Sequence, residues 1–310
     1  MTALICGSFA YDNIMVFHDH FKNHILPDKT HMLNVCFVVP DMKKGFGGCA
    51  GNIVYNMKLL EADAIPMATV GVDFDIYRNR LDTLGIDSRH IKEIEDLFTA
   101  QCFITTDLDD NQITSFQIGA MGSSHENKVT DADNISIGIV APDGKEGMLS
   151  HAAQFAEAGI PFFFDPAQNV PIIEKDELLT AFDHATWLTF NDYEWQLVED
   201  KTGLTTTTVV DLVDALIVTR GGEGSIIYTK DKQYEIPVAK TKELVDPTGC
   251  GDSYRAGLLY GLMNEMDWET TGRIASLIGA IKMENPGTQN HQFSKQEFTD
   301  RFKANFGYSF

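Results

Sequence analysis

Asp246-Pro247-Thr248-Gly249-Cys250-Gly251-Asp252 is followed by Tyr254, Leu258, Leu259 and Leu262, a spacing that lays an apolar stripe along a helix. The glycines then stand at that helix's N-terminus, where several backbone N–H groups lack intrahelical partners. Small residues let an anion approach those donors, and the helix dipole adds partial positive charge. Asp252 falls in the first turn, beside whatever anion is held there. A carboxylate in that place repels a static phosphate but suits a group that takes a proton from an attacking hydroxyl. The same residues also describe a plain tight turn with an acid complementing the dipole, and spacing alone does not separate the two.

Upstream of this segment the chain alternates strand and helix. Residues 135–140, 161–164 and 215–219 are short apolar runs suited to strands buried on both faces. Helical stretches lie near residues 147–158 and 192–202, giving a βαβ rhythm and a parallel sheet between helices. The N-terminal third differs: residues 14–17, 32–39, 98–106 and 112–116 read as strands, with residues 107–111 a hairpin loop. Residues 52–60 and 73–84 read as helices. The expectation is one domain over residues 1–310. It has a large α/β body and a small β lid lent by segments near 12–40 and 98–118.

Three further strand–helix junctions carry chemistry-bearing residues. Asn191-Asp192-Tyr193-Glu194 follows the apolar run 187–190. Asn with Glu three residues on is a capping box, yet the same geometry puts both side chains at a strand's carboxyl end, where they can orient magnesium-bound water. Thr219-Arg220-Gly221-Gly222-Glu223-Gly224 reads as a hairpin turn or as backbone amides opened to a nucleotide phosphate. Gly47-Gly48-Cys49-Ala50-Gly51-Asn52 precedes a helix with Ile53, Met57 and Leu60 on one side, and Asn52 offers donor and acceptor to a polyol.

The 310 residues hold 24 Lys and Arg against 45 Asp and Glu, a net charge of −21. Such a surface repels nucleic-acid backbones and anionic membranes, so any anion site must be built from local positive ends. Five scattered cysteines, with no zinc or C-x-x-C spacing, fit reduced thiols in the cytoplasm. The apolar start is too short for a signal core or a bilayer crossing. His18, Asp19, His20 and His24 read as a polar loop rather than a metal cluster, and Asp107, Asp109 and Asp110 as a solvated hairpin tip.

Together, Gly47–Asn52, Asn191–Glu194, Thr219–Gly224 and Asp246–Asp252 occur in the order found in the PfkB or ribokinase-like family of sugar and nucleoside kinases, which the whole chain resembles. The resemblance implies a three-layer α/β/α fold with a central, mostly parallel sheet and a β lid. A narrower likeness is to the bacterial adenosine kinases of this family. It rests on Gly7-Ser8 with Asp12, Thr105-Thr106-Asp107, Asp165-Pro166-Ala167-Gln168 and Gly287-Thr288-Gln289, among others. It implies transfer of the ATP γ-phosphate to the 5′-hydroxyl of adenosine, giving AMP. A sugar kinase, a kinase of another nucleoside such as inosine or guanosine, and a non-catalytic nucleotide-binding protein are the rival readings.

The roles implied by the resemblance fall on named residues. Asp252 is the base, and the Gly249, Cys250 and Gly251 amides form the anion hole. Asp12, Gly48 and Asn52 hold the ribose, Ser8 and Gln168 face the purine edge, and Phe103 and Phe116 stack on the base. Asn191 and Glu194 position Mg2+ and its waters, with Glu194 the metal-side carboxylate. Thr219, Gly221 and Gly224 line the ATP phosphate track. A monovalent cation and a homodimer through the lid strands belong to the same expectation. Departures from the family pattern are Cys250 where alanine is common, Pro247 ahead of the threonine, Gln117-Ile118 without a proline before Gly119, and Arg220 where lysine or leucine is usual.

Overall fold

The computed structural model describes residues 1–310, apart from the side chains of residues 29 and 30. In chain order the first strands are β1 (Ala3–Cys6), β2 (Ala10–Val16), β3 (Met42–Gly47), β4 (Ala64–Val70), β5 (His90–Glu93), β6 (Ala100–Thr106) and β7 (Gln112–Gln117). They are followed by β8 (Ile137–Val140), β9 (Phe162–Phe164), β10 (Trp187–Asn191), β11 (Ala215–Thr219), β12 (Ser225–Thr229) and β13 (Gln233–Ile236). The helices are α1 (Cys49–Leu59), α2 (Asp75–Leu84), α3 (Lys145–Ala158), α4 (Lys175–His184), α5 (Asp192–Thr202), α6 (Cys250–Met263), α7 (Trp268–Met283) and α8 (Lys295–Phe306).

The main sheet has nine strands in the order β13-β12-β11-β10-β9-β8-β1-β4-β5. It is parallel from β5 to β11, with antiparallel pairing only where β12 joins β11 and β13 joins β12. Its strands are apolar without alternation because helices cover both faces. Ala3, Ile5, Ile139, Phe163 and Ile217 point to one face and pack with residues of α1, α2, α6, α7 and α8. Their neighbours Leu4, Cys6, Val140, Phe164 and Val218 point to the other face and pack with α3, α4 and α5. Phe163 is 1% exposed and packs tilted against Trp187, with ring centroids 4.9 Å apart; truncating such a core aromatic to alanine costs about 3–5 kcal/mol. Among the described residues no helix is long and apolar enough to cross a membrane.

A separate four-stranded sheet, β3-β2-β6-β7, lies off the body. The loop at residues 107–111 joins β6 to β7 as the sequence predicts. There Asp107 ties the turn: its Oδ1 accepts from the amides of Asp109 and Asn111, and its Oδ2 from that of Phe21. The strand expected at residues 32–39 does not form. Pro27–Met32 is a short 3-10 helix, the chain then runs without regular structure, and Val38 is 80% exposed. The strand beside β2 is Met42–Gly47 instead, beyond the 12–40 segment assigned to the lid. Fit rather than apolar content selects it: a Cβ at Gly47 would lie 2.5 Å from Asp12 Oδ2, so only a glycine can sit against that carboxylate.

Candidate functional site

Parallel strands deliver their carboxyl ends to one edge of the sheet, where an open α/β fold forms its crevice. Asp165 follows β9, Asn191 ends β10 and Thr219 ends β11. Opposite them stands the N-terminus of α6. Gly249 is its N-cap, at φ +80°, and no side chain caps the helix. The left-handed backbone calls for glycine here, and an added Cβ would also press on the Thr288 side chain at 3.1 Å. The Cys250 amide donates to Pro247 O (3.1 Å), whereas the amides of Gly249, Gly251 and Asp252 have no acceptor among the described residues. The donors left open are therefore not quite the expected set, because Cys250 spends its own on the turn. Its thiol reaches Gly279 O at 3.5 Å, so the larger side chain is accommodated against α7.

Asp252 sits beside these donors. Its Oδ2 accepts from Asn52 Nδ2 at 2.8 Å. Asn52 Oδ1 accepts from Gln289 Nε2 (3.0 Å), and Gln289 donates as well to the Tyr77 hydroxyl. Arg80 Nε in turn holds Gln289 Oε1. Burial pushes the Asp252 carboxyl up to about 6, against the pull of the Asn52 hydrogen bond and the Arg255 charge. That value suits a base that is ionised at neutral pH yet still able to take a proton. Asn52, expected at the ribose, is 4% exposed with its amide group committed to Asp252 and Gln289, so it orients the carboxylate.

Arg255, one turn beyond Asp252, is the cation that sequence reading overlooked, although an i, i+3 spacing on the predicted helix places it on the same side. It is 5% exposed and grips Asp165 with Nε (2.8 Å) and Nη2 (3.2 Å), while Nη1 donates to Gly251 O at 3.3 Å. Removing either partner would strand a buried charge. Gln289, which bridges Asn52 and Tyr77, is the second residue left without a role by the sequence alone.

A cavity of about 520 Å³ gathers Gln168, Asn191, Glu194, Thr219, Gly221, Gly224, Gly249, Cys250, Gly251 and Asp252 on its walls. Val238, Leu244, Ala280 and Met283 make an apolar end. Gln168, expected at the purine edge, thus lines the same cavity as Thr219, Gly221 and Gly224, the residues expected along the phosphate track. Asn191 and Glu194 form the full capping box: Asn191 Oδ1 accepts from Glu194 N (2.7 Å) and Glu194 Oε2 from Asn191 N (2.8 Å). The cap and the cavity position coexist, since Glu194 still lines the void; burial raises its carboxyl, and the Asp165 charge adds to this.

Ser8 is 7% exposed, and its Oγ accepts from the Cys49 amide at 3.2 Å while its carbonyl takes the Ala50 amide. It caps α1, whose N-cap is Gly48, instead of lying open to a base edge. Asp12, on β2, holds its carboxylate against Gly47; burial, aided by Asp246, pushes it up to about 6. In the lid register Asp12 lies beside Cys102, which pairs with Phe116. Phe116 therefore shares the Asp12 face, as do Ile14 and Ile104 in the next row. Phe103 pairs with Asn13 and Ser115 and projects from the opposite face. The two phenylalanines were expected to bracket one base; an odd offset between positions 103 and 116 in this register separates them.

Comparison with known proteins bears on the family and the fold. The family model for pfkB family carbohydrate kinases matches residues 13–295. A nucleoside kinase of Methanocaldococcus jannaschii is 34% identical over 261 residues, covering 83% of this chain and 85% of that protein. The solved Burkholderia thailandensis nucleoside kinase in complex with inosine is 45% identical with a TM-score of 0.90, covering 99% of each chain. Its ADP–inosine complex gives 47% and 0.87, covering 99% of this chain and 97% of that one. The ribokinase of Thermotoga maritima, 22% identical with a TM-score of 0.79 over 97% of this chain and 99% of that one, shares the fold. With the ordered motifs, the uncapped α6 and the two-sheet architecture on one chain, this protein belongs to the pfkB family of carbohydrate kinases.

Proposed function

We propose that the protein is an ATP-dependent nucleoside kinase that phosphorylates the 5′-hydroxyl of a purine nucleoside. One observation carries the reading: Asp252, raised to about 6, is aimed by Asn52 beside the open amides of Gly249 and Gly251. Asp252 takes the proton of the attacking hydroxyl, and the amides receive the migrating phosphoryl group, whose charge they stabilise without reorganising. Arg255 holds Gly251 O and Asp165, fixing the turn. Asp12 holds the ribose from the lid side, and Phe116 with Ile14 and Ile104 covers the base. The triphosphate runs past Thr219, Gly221 and Gly224 toward the apolar end of the cavity.

The donor set fits Mg2+. Glu194 uses only Oε2 in the capping box, so its second carboxylate oxygen is available on the cavity wall, with Asn191 and Asp165 near it. Glu194 and Asn191 would hold Mg2+ there, and the ion would supply charge neutralisation to the phosphates. Stacking on Phe116 favours a nucleoside over a bare sugar, at about 1–3 kcal/mol per base.

Turnover of Mg2+-ATP with inosine, adenosine, guanosine, ribose and fructose 6-phosphate tests the assignment. Inosine, which the Burkholderia thailandensis relative binds, and adenosine are the expected acceptors; turnover of sugars with no nucleoside accepted would defeat it. Phe116→Ala should raise the nucleoside KM about tenfold, in line with the loss of one stacking contact, whereas Phe103→Ala, on the other face, should leave it within about twofold.

A further inference from the structure

Two buried cations flank the uncapped end of α6, and only one of them meets a carboxylate. Lys282, in the last turn of α7, is fully buried, and its Nζ donates to the backbone carbonyls of Asp246 (2.6 Å) and Asn285 (3.0 Å). No carboxylate lies within ion-pair distance of it among the described residues. Burying an ammonium against neutral carbonyls is costly, and packing does not require a charge there.

What lies around it is negative. The last carbonyls of α7 face the loop that leads into Gly249: Met283 O accepts the amides of Val245 and Asp246, and Gly279 O accepts the Cys250 thiol. A helix C-terminus carries about half a negative charge. The Asp246 carboxylate is held in the same place, with Oδ1 accepting from Thr248 N (2.9 Å) and Oδ2 from Gly287 N (2.7 Å). A helix end and a carboxylate thus stand behind amides that must accept a phosphate, in a chain of net charge −21.

We infer that Lys282 is a positioning residue of the anion hole: its ammonium pins the 246–249 loop to the 285–287 turn and cancels the negative charge behind the Gly249 and Gly251 amides. This rests on the phosphoryl-transfer reading above. Arg255 cannot replace it, because that guanidinium is already matched to Asp165.

The γ-phosphate is the group that reaches the hole, so its binding isolates the effect without any acceptor. Calorimetry should compare ADP with the β,γ-methylene analogue of ATP, both with Mg2+, on wild type and Lys282→Met. The expected result is about a tenfold or greater loss for the analogue and less than about twofold for ADP. The nucleoside KM should hold while kcat falls. In Lys282→Ala, added methylammonium should restore part of the analogue affinity, which a packing defect would not do. Equal losses for ADP and the analogue, or no loss for either, would overturn the inference. Should Lys282→Met not unfold cooperatively, Lys282→Gln, neutral but able to donate to one carbonyl, carries the same comparison. Wild type that fails to bind the analogue at all would overturn the kinase reading itself, a result separate from any wild-type-to-variant ratio.

Discussion

Helices α5 and α6 both begin where the chain leaves the carboxyl edge of the main sheet, and they begin differently. At α5 Asn191 and Glu194 satisfy each other's amides. At α6 the N-cap is a glycine, no side chain reaches back, and three amides wait without an acceptor. Helix α1 sides with α5, because Ser8 takes its first amides. An exposed helix start loses about 1 kcal/mol without a cap, so a start left open beside a buried acid in a cavity marks the place built for a ligand. On the proposed reading the capped starts of α1 and α5 hold their cavity residues still, whereas the open start of α6 meets the reacting group.

The sharpest test of that difference is Asp252→Asn. General-base catalysis contributes about 10²–10⁴-fold, and kcat should fall within that range with the nucleoside KM little changed. Stability should move the other way. The folded state holds the Asp252 proton more tightly than the unfolded chain, so the group favours folding at low pH, and that contribution is lost as pH rises through about 6. The neutral variant should unfold at a higher temperature than wild type at pH 8, with the gap closing toward pH 4. A variant that is both active and no more stable at pH 8 would make α6 an ordinary helix start. Gly249→Ala ranks next. It forces a Cβ into a left-handed backbone and onto Thr288, and displacing oxyanion donors costs about 10²–10³ in kcat. The alanine exchange at Gly203, another left-handed position but with open space around it, should leave kcat unchanged.

The body of the fold was legible because unbroken apolar runs such as Phe162–Phe164 admit one explanation, a strand covered on both faces. The turn that opens α6 and the capping box that opens α5 were legible for a related reason. Their geometry is local, contained in the few residues from Asp246 to Asp252 and in the Asn191–Glu194 turn. The lid was not, because strand choice there depends on partners far away in sequence. Residues 32–39 outscore residues 42–47 in apolar content, yet only glycine fits beside Asp12. Phe103 and Phe116 could be placed on a face only once the β6–β7 register was known. The Asn52–Gln289 contact spans 237 positions and could not be read from spacing at all.

The pH profile probes the same buried acid more gently. With Asp252 raised to about 6, and Asp12 likewise, kcat/KM should rise with pH through that region and level off above it. Asn52 donates to the ionised form of Asp252 and so lowers its proton affinity. Asn52→Ala should therefore move the acid limb upward, whereas Asp12→Asn should make it shallower without moving it up. An acid limb unmoved by Asn52→Ala would mean that Asp252 is not the group reported.

The smallest effect is expected at the capped start. Asn191→Ala removes the acceptor for the Glu194 amide, which costs about 1 kcal/mol of stability by loss of an N-cap. The Glu194 carboxylate still accepts from the backbone amide of residue 191 and keeps its place on the cavity wall, so kcat should fall by less than about tenfold, well below the range set by a missing base. Urea unfolding and Mg2+ titration of turnover read the two consequences separately. If Asn191 acts only as a cap, the unfolding midpoint drops and the Mg2+ dependence is unchanged. If it also holds metal-bound water from the cavity wall, the Mg2+ requirement rises in the same variant. A fall in kcat comparable to that of Asp252→Asn, with stability unchanged, would erase the distinction between the two helix starts, because the capped one would then be meeting the reacting group as well.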